Sequence, residues 1–103
     1  MPDYKLRITP DSIPALKEAL ETALTLKEAK MPVPPSLIKN LQSLVTRTTR
    51  AAKNHDIYYS PLSKSYDIQL ADKAEYEAAI WAQQYADSTL GPGEASFGPT
   101  KMI

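Results

Sequence analysis

The sequence predicts a small single α+β domain with the element order β-α-α-β-β-α, followed by an extended C-terminal tail. Three observations carry that prediction. Apolar residues recur at helical spacing in three separate stretches, strand formers cluster in the segments between them, and proline or glycine punctuates the main junctions. A chain of 103 residues, 43% apolar and 23% charged, has the size and composition of one folded domain with a modest core. The compact domain is expected over residues 1–90. The tail, 91–103, is expected to dock on that domain or on a neighbouring subunit.

The first strand is YKLRI, Tyr4 to Ile8, where apolar and basic residues alternate as on a half-buried strand. Thr9-Pro10 breaks it, and Asp11 or Ser12 stands where a helix cap belongs, with Pro14 in the first turn. A first helix over 12–30 follows from the stripe Ile13, Leu16, Leu20, Ala23 and Leu24, widened by Ala19 and Leu26. MPVPP then imposes a stiff, extended connection, because each proline biases its predecessor away from helix. A second helix over 36–54 is expected to start at a Ser36 cap and to bury Leu37, Leu41, Leu44, Val45, Thr48 and Ala52. IYYSPLSKSYDIQL reads as a hairpin, with strands at Ile57 to Tyr59 and Tyr66 to Leu70 around a Ser-Pro turn. Asp72 caps a third helix that runs to about Leu90 and stops at Gly91-Pro92-Gly93. The tail has no periodicity, so its natural anchors are Phe97, Met102 and Ile103.

Formal net charge is zero, but it is unevenly spread. Nine Lys/Arg face five Asp/Glu before His55, and three face seven from His55 onward, so the two halves carry +4 and −4. Such a split suits two oppositely charged surfaces or a self-complementary contact, and less a domain devoted to nucleic acid. With no cysteine, thiolate metal sites, disulfides and cysteine nucleophiles are all excluded. No apolar run approaches membrane-spanning length and the first residues lack a signal-peptide pattern, so the expected compartment is the cytosol and no membrane partner is expected.

No catalytic motif stands out. Histidine occurs once, at His55, and is expected to sit at a helix C-terminus and interact with its dipole. Asp72 and Glu75 read as acids of a helix first turn. The three glycines all lie in the tail, which leaves no phosphate loop elsewhere. No enzyme activity, metal or cofactor is expected.

The stretch VTRTTRAAKNH holds the feature that does call for a function. On the helix expected over 36–54, its Arg47, Arg50 and Lys53 join Lys39 in one basic face beside Ser43 and Thr46. The third helix sends large groups two ways, Trp81 and Tyr85 on one side and Tyr76 on another. With Phe97 in the tail, these are the candidate partner or oligomer contacts, since Trp and Tyr dominate interface hot spots. The expected function is therefore a small non-enzymatic interaction module (accessory subunit, adaptor or inhibitor) that binds another protein or a second copy of itself. On that reading Arg47→Glu with Arg50→Glu leaves folding intact. The alternative takes the element order as that of a winged-helix nucleic-acid-binding regulator, with Lys39, Asn40, Ser43, Arg47 and Arg50 turned to DNA and the Lys64 turn as wing. A small-molecule ligand at the hairpin tyrosines is a third reading.

Overall fold

The structure is a computed structural model that describes residues 4–91 and 97–101. It is an α+β domain in which three long helices pack on one another and on one face of an antiparallel sheet. The elements are β1 (Tyr4–Ile8), α1 (Ile13–Glu28), α2 (Leu37–Lys53), α3 (His55–Tyr58), β2 (Tyr59–Ser60), β3 (Ser65–Leu70), α4 (Lys73–Thr89) and β4 (Pro99–Lys101). Strand order is β2-β3-β1-β4, so β1 is central although it comes first. It pairs with β3 from Tyr4↔Leu70 to Ile8↔Tyr66, and with β4 from Tyr4↔Lys101 to Leu6↔Pro99.

Alternation decides the two faces of this sheet. Leu6, Ile8, Tyr66, Ile68 and Leu70 are buried under the helices, while Arg7, Asp67 and Gln69 point to solvent, as a strand period of two requires. Leu16, Ala19, Ala23, Leu37, Leu41, Leu44, Thr48 and Ala51 complete the helical side of the core. Helix α4 contributes mainly alanines, Ala78, Ala79, Ala82 and Ala86, whose small size lets α1 and α2 approach closely.

Local chemistry explains the boundaries. A short 3-10 turn, Pro10–Ser12, precedes α1, so neither Asp11 nor Ser12 makes the expected capping bond; the Ser12 hydroxyl meets Thr9 Oγ1 instead, at 2.6 Å. Ser36 does precede α2 but also lacks a side-chain cap bond. Asp72 caps α4 as expected, accepting from the Glu75 N–H at 3.1 Å. Helix α1 ends where Lys30 takes a left-handed φ of 60° and the Met31 N–H reaches back to the Leu26 carbonyl at 2.9 Å. Within the helices the buried stripes differ from the expected ones at four positions: Leu24 and Ala52 are exposed, whereas Ala15 and Ala51 are buried.

The expected hairpin is shorter than the sequence suggests. His55 to Tyr58 form a helical turn, with the Ile57 and Tyr58 N–H groups both donating to the Asn54 carbonyl, and only Tyr59 and Ser60 pair with β3. Ile57 is 77% exposed, so extending the strand through it would bury nothing. The other difference is in the tail. Residues expected to be aperiodic form β4, which pairs with β1 of its own chain, and Phe97 is completely buried. Met102 and Ile103, the other expected anchors, lie outside the described residues, as do Pro92 and Gly93.

Gly98 shows how closely the tail is held. Its φ is +47°, and a Cβ there would lie 2.8 Å from the carbonyl oxygen of Arg7, whose N–H already bonds the Gly98 carbonyl at 3.3 Å. That backbone oxygen cannot swing aside as a side chain could. Gly98→Ala is accordingly expected to destabilise by about 1–3 kcal/mol, from left-handed strain plus the displaced neighbour. Urea unfolding monitored by circular dichroism measures it; an unchanged midpoint would mean that the tail does not follow β1 this closely.

Candidate functional site: a basic groove and an arginine-lined sheet edge

The basic stretch of α2 divides into three environments. Arg47 turns inward. One guanidinium nitrogen donates to the Gln69 carbonyl at 2.6 Å, and another bonds Oε1 of Glu75. Glu75 is buried; its Oε2 accepts from Ser43 Oγ at 2.8 Å, and Oε1 also accepts from the Ala71 N–H at 2.6 Å. This carboxylate therefore ties α2, the end of β3 and the start of α4 together. The sequence marked Glu75 only as a first-turn acid and Arg47 as a partner contact. Both are structural, and Arg47→Glu would place two carboxylates together inside the fold. The expectation that Arg47→Glu with Arg50→Glu leaves folding intact is thereby corrected.

Arg50 and Lys53 are different. Together with Lys17 of α1 they line a groove of about 490 Å³ between α1 and α2, floored by Val45 and edged by Thr46 and Thr49. None of these three cations is in an ion pair among the described residues. Lys39 is exposed on the same helix face, two turns before Thr46. Lys17 was invisible as a site residue in the sequence, because it belongs to a different helix and only the packing of α1 on α2 brings it alongside Arg50.

Arg50 also borders a second groove, of about 370 Å³, lined by Arg47, Tyr58, Asp67, Ile68 and Gln69. Its floor is the outer edge of β3, which β2 covers only at Ser65 and Tyr66. Asp67 is committed elsewhere, accepting from Arg7 Nε at 3.0 Å across the solvent face of the sheet.

The aromatic candidates are scattered. Tyr76 stacks on Tyr4 with ring centroids 4.6 Å apart, at the junction of α4 with β1. Trp81 and Tyr85 lie parallel at 6.0 Å, and the Tyr85 hydroxyl accepts from Thr22 Oγ1 at 2.9 Å. Trp81 borders a small cleft of about 190 Å³ with Pro34, Leu37 and Ile80, where the proline connection crosses α4. All three are half-buried and pack against the core. Phe97 belongs to the core itself, which corrects its assignment to an interface: its ring has no exposed surface, and its N–H donates to Gln83 Oε1 at 2.8 Å. His55 stacks on Tyr59 at 4.4 Å, and its Nδ1 lies 2.9 Å from the Tyr66 hydroxyl. It opens α3 rather than closing a longer helix.

Two of the five side chains that the nucleic-acid alternative turns toward DNA, Ser43 and Arg47, are bonded to Glu75 within the molecule. No described helix is long and apolar enough to cross a membrane. No protein-family model, curated protein or solved structure significantly matches this chain, so its own geometry is the basis for a functional reading.

Proposed function

We propose that this protein is a small non-enzymatic interaction module that captures an acidic surface of another protein in the groove between α1 and α2. One observation carries the reading: Lys17, Arg50 and Lys53, from two helices, converge on a single groove without an ion-pair partner among the described residues. Exposed charge pairs contribute only about 0.2–1 kcal/mol each, so these cations act mainly on encounter rate and orientation. Apolar contact has to supply most of the affinity. The chain just beyond Lys53 offers it, with Ile57 77% and Leu62 99% exposed and Tyr58 beside them.

The test is a pull-down from a lysate of the native source, with and without nuclease, using wild type and Lys17→Glu/Lys53→Glu. Both lysines are exposed, so the variant is expected to keep the wild-type circular dichroism spectrum. A defined protein band that survives nuclease and disappears with the variant is the expected result. A band held equally by the variant would remove the groove from the contact. Retained material lost on nuclease treatment would favour the nucleic-acid alternative instead.

A further inference from the structure

We propose that the second groove, between Arg50, Tyr58 and the outer edge of β3, is a subsite for a single carboxylate: a Glu or Asp side chain of that acidic partner. The inference rests on the reading that the partner is an acidic protein, and it deepens it by assigning one recognition point.

The argument starts from hydrogen-bond direction in an antiparallel sheet. Along an edge strand, the N–H and C=O of one residue point the same way, and successive residues alternate. The Gln69 carbonyl is held by Arg47, so it points away from β1, and the Gln69 N–H must point to the same outer side. Among the described residues no strand covers it there, because β2 stops at the partner of Tyr66. The groove therefore presents a backbone donor on its floor. Arg50 adds a guanidinium without an ion pair. Arg47, also in the lining, carries an Nε–H that is buried without an acceptor. The Arg47 charge is offset by Glu75, so the positive charge facing the groove is that of Arg50, and the unmet Arg47 Nε–H adds a donor that favours an anion in the adjoining space.

The only acid in the lining, Asp67, is already paired with Arg7. Among the described residues the groove thus holds one cation, Arg50, whose charge no acid in the lining offsets, together with the outward Gln69 N–H. A carboxylate fits that inventory: one oxygen accepts from the Gln69 N–H and the other from Arg50, leaving the Arg47 bonds to Gln69 and Glu75 in place. The Tyr58 ring, 40% exposed, forms a wall for the methylene stem behind the carboxylate. A side chain is a better match than an added strand, because the helical turn of α3 stands beside Asp67 and closes the line that a longer strand would follow. Arg50 borders both grooves, so one partner surface engages both through this residue.

The experiment is an NMR titration of the ¹⁵N-labelled full chain with N-acetyl-glutamate methylamide as probe. Its glutamine analogue and inorganic phosphate serve as the comparison arms. The expected result is a saturable shift of the Gln69 N–H and the Arg50 side chain with the glutamate probe and none with the glutamine analogue. Arg50→Gln should weaken the probe at least about tenfold, while Lys17→Glu/Lys53→Glu, which leaves this groove untouched, should change it little. Either absence of the Gln69 shift at excess probe, equal binding of the glutamine analogue, or tighter binding of phosphate would overturn the assignment. Failure here combined with loss of capture by the Lys17/Lys53 variant would sink the carboxylate subsite alone. Capture that is indifferent to Lys17 and Lys53, with the probe bound at Gln69, would sink the α1/α2 groove alone.

Discussion

Replacing Glu75 with Ala is expected to destabilise the fold by about 3–5 kcal/mol, because it removes one partner of a largely buried ion pair and strands the other. The Glu75 side chain is 6% exposed and that of Arg47 28%. Water could therefore recover part of the Arg47 guanidinium but little of what surrounds the missing carboxylate. Ser43 Oγ and the Ala71 N–H would lose their acceptor in the same step. For a domain of this size, about 4–8 °C of Tm per kcal/mol converts the loss to roughly 12–40 °C. Thermal and urea unfolding followed by circular dichroism measures it. Glu75→Gln keeps one acceptor oxygen, which can serve Ser43 or Ala71 but not both, and gives Arg47 no charge, so it should fall between wild type and Glu75→Ala. A Glu75→Ala protein within about 1 kcal/mol of wild type would show that the pair behaves like a solvated surface bridge.

That network also marks the limit of what the sequence reveals here. Periodicity finds the three long helices, β1 and β3 because each buries a face whose spacing is local. It identifies Asp72 as a cap for the same reason: cap and first turn are neighbours in the chain. Glu75, Arg47 and Ser43 are different, since their meeting depends on how α2 crosses α4, a non-local property. On a helical wheel Arg47 and Arg50 share one face, yet one is bound to the Gln69 carbonyl and Glu75 while the other has no ion pair among the described residues and borders two grooves. Lys17 joins Arg50 and Lys53 only through the packing of two helices. Ile57 and Tyr58 have strand-forming side chains, but strand propensity expresses burial against neighbours, and none is on offer there. The tail errs in the opposite direction: β4 is three residues long and begins with proline, too short for alternation to register.

Phe97→Ala should be the most damaging single change in the tail. The ring has no exposed surface, and truncating a fully buried phenylalanine typically removes about 3–5 kcal/mol through lost transfer energy and the cavity left behind. The consequence extends beyond the core, because the ring anchors the segment that leads into β4. Pro99 donates no backbone hydrogen bond, and the attachment before it includes the Phe97 N–H on Gln83 and the Gly98 carbonyl on Arg7. Without the ring as anchor, β4 is expected to leave β1, and the Arg7 N–H should lose its protection from hydrogen exchange at a free energy below that of global unfolding. β1 would then become an unpaired sheet edge carrying Tyr4, Leu6 and Ile8, and such an edge invites intermolecular pairing. Three measurements on one variant separate the steps: urea unfolding for the core, exchange at Arg7 for strand release, and light scattering against concentration for association. Lost stability with Arg7 still protected would mean that β4 is held by its own backbone pairing. Retained stability would mean that the pocket around Phe97 closes over the smaller side chain.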